Sequence, residues 1–170
     1  MQRGLFGLAA FFLIGCSAAP RPLQSSANVS AAKDDVLVHL TRSGCFGACP
    51  AYDLTLHQSG NVDYIGYSHV LVQGRQHGTA DPQALARLRP QLQRSAFSVL
   101  AHRYLHDSPA CGLWASDMPT VTIEVFDNGR WLRAEHDYGC SAAPAALTQL
   151  EQAIDDAAQS SQWTSMRPRE

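Results

Sequence analysis

Residues 120–138 read TVTIEVFDNGRWLRAEHDY, and this stretch decides the fold. Val121, Ile123 and Val125 alternate with Thr122, Glu124 and Phe126, the period of two that sends every second side chain of a strand to the same face. Asp127-Asn128-Gly129-Arg130 then supplies a two-residue turn, because a type I′ turn needs positive φ at both central positions and Asn-Gly adopts it readily. Residues 131–138 return as the partner strand. A hairpin this explicit commits the chain to an antiparallel sheet.

The same periodicity recurs upstream. Val36, Val38 and Leu40 alternate with Leu37, His39 and Thr41. Tyr52, Leu54 and Leu56 alternate with Asp53, Thr55 and His57, and the Ser59-Gly60-Asn61 turn leads into a hairpin partner over residues 62–67. Residues 69–78 suggest one more strand, with weaker alternation. Asp81-Pro82 opens a helix, since Asp caps free N–H groups and Pro at the first helical position loses no needed hydrogen bond. Leu85, Leu88 and Leu92 share a face there, while Pro90 should kink or split the helix. A closing helix over residues 145–160 carries Leu147, Leu150 and Ile154 on one stripe. The order of strands, helix, hairpin and helix reads as an α+β fold: an antiparallel sheet of about five or six strands, packed by two helices and stapled by disulfides.

The N-terminus carries a different message. Arg3 precedes the apolar run of residues 5–14, too short for a membrane span of about 20 residues and right for a signal-peptide core. It ends in Leu13-Ile14-Gly15-Cys16, which resembles a bacterial lipobox with Cys16 as the acylated residue. Residues 1–15 are therefore expected to be a lipoprotein signal peptide. Residues 16–34, rich in Ser, Ala and Pro, follow as lipidated Cys16 and a flexible tether. A single domain over residues 35–165 and a tail of 166–170 complete the chain, whose length of 170 residues suits one domain. No Asp follows Cys16, so the expectation is a palmitate-bearing lipoprotein anchored in the bacterial cell envelope, at the outer membrane and facing the periplasm. A net charge of −2 argues against a nucleic-acid partner or a polybasic membrane binder.

Of the five cysteines, removing Cys16 leaves Cys45, Cys49, Cys111 and Cys140, an even set that suits disulfides in an oxidising compartment. Their positions favour Cys45 with Cys49 and Cys111 with Cys140. Loop entropy contributes roughly 2 and 3.5 kcal/mol for these closures, but the other two pairings close larger loops, so entropy does not choose among them. Cys45-Phe46-Gly47-Ala48-Cys49-Pro50 could also be a redox dithiol. However, redox motifs separate their cysteines by two residues and set the attacking thiol at a helix N-terminus.

Other constellations carry less. His102 and His106 are spaced for one helix face, as a zinc site would want, but their segment has no helical stripe and no metal is expected. His136-Asp137 with a serine could be drawn as a hydrolase triad, yet no Gly-x-Ser-x-Gly occurs. Asp117 before Met118-Pro119-Thr120 suits a turn that fixes strand entry. Trp114, Trp131 and Trp163 read as core or rim aromatics.

Thr41-Arg42-x-x-Cys45-Phe46-Gly47-x-Cys49-Pro50-x-Tyr52 forms one marker block. With it go Gly60, Tyr104, Asp117-x-Pro119-Thr120, Asp137-Tyr138-Gly139-Cys140, and Leu150-Glu151 with Ile154-Asp155. Through these residues the chain resembles, over residues 36–163, an uncharacterised family of bacterial secreted proteins and lipoproteins catalogued as a domain of unknown function. The resemblance implies an α+β fold and an envelope location, and it carries over no catalytic residue. The expectation is a non-catalytic binding or structural module, more a partner-binding protein than an enzyme. It would use no cofactor and would meet the membrane through its lipid and an envelope protein or ligand through its domain. The alternative is a thiol-disulfide or other envelope enzyme accessory working through the Cys45/Cys49 loop.

Overall fold

The computed structural model describes residues 35–100, 102–127 and 129–164. The expected signal peptide, Cys16, the tether and the tail lie outside them. Seven strands form one sheet: β1 (Val36–Arg42), β2 (Ala51–His57), β3 (Asn61–Ser68), β4 (Gly74–Thr79), β5 (Arg103–Tyr104), β6 (Thr120–Asp127) and β7 (Arg130–Asp137). Their order is β4-β3-β2-β1-β6-β7-β5. Every pairing is antiparallel except β5 with β7. β1 and β6, far apart in sequence, thus lie side by side at the centre.

The alternation read from the sequence sets the two faces. Val38, Leu40, Leu54, Leu56, Val121, Ile123 and Val125 are buried in one cluster with the helices' Leu85, Leu88, Leu147, Leu150 and Ile154. On the other face polar partners meet: across strands His39 reaches Glu124 at 3.4 Å and Arg133 holds Glu124 at 3.1 Å, while along β7 Arg133 also holds Glu135 at 3.0 Å. At one margin His57 Nε2 lies 2.9 Å from Asp63, whose other oxygen meets His77 at 2.6 Å.

Two expectations need correction. The sheet has seven strands rather than five or six, because β5 is a two-residue strand, too short for any alternation, formed only by its neighbour β7. The strand expected over 69–78 is β4, which starts at Gly74 because His69, with φ of 52°, first turns the chain. The helical part is also more divided than two helices. α1 (Pro82–Leu88) is capped by the Asp81 carboxylate, which accepts the Ala84 N–H at 2.6 Å. Pro90, lacking an N–H, then ends it in a 3-10 turn over Arg89–Leu92, followed by the single turn α2 (Arg94–Phe97). α3 (Ala145–Ala158) ends where Gln159 takes a left-handed φ of 55°, and α4 (Ser161–Thr164) follows at once. That bend folds Trp163 back onto Tyr64, with ring centroids 4.9 Å apart.

Two disulfides fasten the end of the sheet away from Asp35: Cys45 is joined to Cys49 and Cys111 to Cys140. The two stapled loops touch where the Phe46 N–H donates to the Asp117 carbonyl at 3.1 Å; Asp117 holds a φ of 70° there. Nearby, Ala115 N–H donates to Gly139 O at 3.0 Å, and a Cβ at Gly139 would overlap the Ala115 carbonyl oxygen. Gly139→Ala should therefore destabilise the domain by about 1–3 kcal/mol through overpacking. Gly44→Ala, where a Cβ meets only open space, should leave the thermal unfolding midpoint nearly unchanged. Equal midpoints for the two variants would contradict this packing.

Candidate functional site

The parity that buries Val38 and Leu40 also sends Arg42 to the apolar side of the sheet, since all three lie on one face of β1. The stripe of α3 that buries Leu147, Leu150 and Ile154 likewise carries Glu151 and Asp155. His136 follows Ala134 inward on β7. A cation and two carboxylates are thus driven into the same interior by elements distant in the chain, and burial of charge is tolerated only when such groups meet.

They do meet. Arg42 Nε and Nη2 donate to Asp155 Oδ2 at 3.0 and 2.7 Å. Asp155 Oδ1 accepts the hydroxyls of Tyr52 at 2.6 Å and Ser160 at 2.7 Å. Glu151, which is fully buried, lies 2.8 Å from His136 Nδ1 and accepts the Tyr138 hydroxyl at 2.6 Å. Arg42 Nη1 stands 3.7 Å from its second oxygen. The rings of His136 and Tyr138 stack at 4.4 Å.

The electrostatics follow from this closure. Burial is the largest single influence and works against the Arg42 cation. The Asp155 charge, joined by Tyr52 and by hydrogen bonds to Tyr138 and Asp155, outweighs it, so the guanidinium is held charged even more firmly than usual. Burial, then the Asp155 charge, pushes the Tyr52 hydroxyl well above its ordinary range. Burial and the hydrogen bond to Glu151 move Tyr138 the same way. Both phenols therefore stay protonated and donate. Both oxygens of Asp155 and of Glu151 are thus engaged by neighbouring side chains, which fixes the two carboxylates in place.

Above this floor a cleft of about 410 Å³ opens between the β1–β2 loop and α3. Pro50, Pro119 and Val121 form apolar wall, while Thr148, Gln152 and Asp156 line it from α3. Cys49 stands at its edge. The cysteine pair leads through Pro50 straight into strand β2, so it lacks the helix N-terminus that lowers an attacking thiol's pKa in redox motifs.

The other residues singled out from sequence go elsewhere. His102 rests edge-on against Tyr104 and His106 against Trp114, so the two do not converge. Among the described residues, no three His, Cys, Asp or Glu side chains form a metal-binding group. Asp137 accepts Trp114 Nε1 at 2.7 Å and the Gly139 N–H at 2.8 Å, facing away from the Glu151 that His136 engages. The triad drawn from His136-Asp137 is not assembled. Trp163 is buried, whereas Trp114 and Trp131 are half-exposed.

Arg42, Glu151 and Asp155 enter the sequence reading only as marks of a family resemblance, and Tyr52 and Tyr138 besides that only as strand residues. One signal could have found them as a site: charged residues at positions whose periodicity assigns them to the core. Comparison with known proteins places the chain, as that resemblance does, in a family of unknown function. Residues 36–158 match the family described as Domain of unknown function (DUF6438). No curated protein matches the chain.

The network makes a prediction at high pH. A phenol whose pKa is raised on folding contributes stability that is complete below about pH 10 and lost as pH climbs toward the folded value. The wild-type domain should lose stability steadily above pH 10. Tyr52→Phe should cost about 1–2 kcal/mol at pH 7, by removing a donor to a buried carboxylate, and should flatten that alkaline decline. Urea unfolding at pH 7 and pH 10.5 measures both; an equally steep decline in the variant would show that Tyr52 does not share in the titration with the other raised phenols.

Proposed function

The chain belongs to the Domain of unknown function (DUF6438) family, and from that premise we propose that it is a lipid-anchored binding module of the bacterial cell envelope. On this reading it is non-catalytic, and the cleft beside Arg42 is its ligand site. The observation that carries the proposal is the pairing of an open cleft with a floor whose charged groups are already spent on one another. A catalytic floor keeps a base or nucleophile exposed to substrate. This floor instead fixes the walls, which is the preorganisation that reduces the entropic cost of holding a ligand.

The anchoring half rests on Leu13-Ile14-Gly15-Cys16 and on the polar stretch between Cys16 and the domain. Acylation at more than one position would hold the chain stably, where one chain alone binds only marginally. An outer-membrane position facing the periplasm follows from Ser17 in place of an Asp, and an oxidising periplasm agrees with two disulfides in so small a domain. The tether joins at Asp35, at the end of β1 opposite Arg42, so the cleft is carried at the end of the domain away from the attachment point.

A photocrosslinking amino acid placed at Thr148, on the cleft rim, tests the reading in cells. It is expected to give a discrete adduct that the same group placed at Arg87, on exposed α1, does not give. Cys16→Ser is expected to release the protein from the membrane fraction. Identical labelling from the two positions, or none from either, would contradict a ligand site in the cleft.

A further inference from the structure

The chemistry of the cleft narrows what it takes, and we infer that its ligand is an uncharged saccharide of one or two rings; this deepens the binding reading above and rests on it. Size comes first. About 410 Å³ falls at the small end of the roughly 300–1,000 Å³ typical of small-molecule sites, room for a mono- or disaccharide rather than a long chain.

Charge comes next. Among the described residues lining the cleft Arg42 is the one Lys or Arg, beside Asp155 and Asp156, with Glu151 3.7 Å from the guanidinium. Asp155 and Glu151 already claim the guanidinium, so the local field is negative. A phosphate or carboxylate would meet repulsion there and would have to displace the two hydrogen bonds that Arg42 gives Asp155 Oδ2.

The hydrogen-bonding surface is the third observation. Thr148 and Ser161 present hydroxyls that both donate and accept. The Gln152 amide donates to Asp156 Oδ1 at 2.8 Å, which leaves its carbonyl and the second Asp156 oxygen as acceptors. A closely spaced mixture of donors and acceptors matches vicinal sugar hydroxyls, each of which does both. A peptide that added itself as a strand would need unpaired backbone groups along a sheet edge. The strands under this cleft are β1, β2 and β6, all paired on both sides.

The fourth observation is the apolar surface. Tyr138 lines the cleft, backed by His136 at 4.4 Å and pinned through its hydroxyl to Glu151 at 2.6 Å. With Pro50 and Pro119 it gives the cleft apolar lining of the kind that the C–H face of a pyranose packs against.

The test is an amide-resolved NMR titration of the full chain in a detergent without a sugar headgroup. Four probes are added in turn: N,N′-diacetylchitobiose, maltose, glucose 6-phosphate and tri-alanine. At least one neutral disaccharide is expected to shift the amides of Thr148, Gln152 and Ser161 with saturating, low-millimolar affinity, and glucose 6-phosphate to bind at least tenfold more weakly. Gln152→Ala, an exposed change, is expected to weaken that disaccharide about tenfold with an unchanged melting temperature. Shifts with tri-alanine but neither disaccharide would overturn the saccharide assignment while leaving a binding cleft. Tighter binding of the phosphate sugar would overturn the requirement for neutrality. Silence of the cleft toward all four probes would overturn both this inference and the binding reading beneath it.

Discussion

Arg42 enters the domain on the apolar side of its central strand, and everything around the cleft is arranged by the need to neutralise it. A buried guanidinium without partners would cost several kcal/mol. The partners cannot come from the sheet alone, so they come from α3. Asp155 takes the guanidinium directly, while Glu151 is tied to β7 through His136 and Tyr138. The helix is thereby held to three strands by charge as well as by Leu147, Leu150 and Ile154. Apolar packing would tolerate a small slide of the helix. Hydrogen bonds of 2.6–2.8 Å at both carboxylates fix its register and hence the width of the cleft.

The disulfides act on the same part of the molecule from outside. Cys45–Cys49 and Cys111–Cys140 close the two loops that flank the sheet end where Arg42 emerges. The loop-to-loop hydrogen bond from Phe46 to Asp117 joins them to each other. Constrained loops over a charge-locked floor make a surface whose shape is set before any ligand arrives. Phe46 is the exception, being 91 % exposed on the stapled loop.

Much of this was legible in the chain. The hairpin over residues 120–138, the strands of residues 36–41 and 52–67, the Asp81 cap and the stripe of the long helix all obey local rules of alternation, turn chemistry and capping. What was not legible has a common cause. β5 is two residues long and exists only because β7 runs beside it. The Arg42–Asp155 contact spans 113 positions of sequence, so no window contains both partners. Local patterning does predict that Arg42, Glu151 and Asp155 fall on core faces, and three charges at core positions are a readable anomaly. Which of them pair requires the strand order, with β1 and β6 adjacent across a long intervening segment. The triad suggested by His136-Asp137 fails for an equally simple reason: neighbouring residues of a strand point to opposite faces.

The shape of the cleft depends on the coupling between β1 and α3, and a double-mutant cycle between Arg42 and Asp155 measures it directly. Arg42→Met alone is predicted to destabilise the domain by about 3–5 kcal/mol, since it leaves a buried carboxylate without its counter-charge. The pair Arg42→Met with Asp155→Leu should lose less than the sum of the single variants, by more than about 1 kcal/mol. Effects that add to within about 0.5 kcal/mol would mean that the two residues act independently, and that the cleft is shaped by something other than this ion pair.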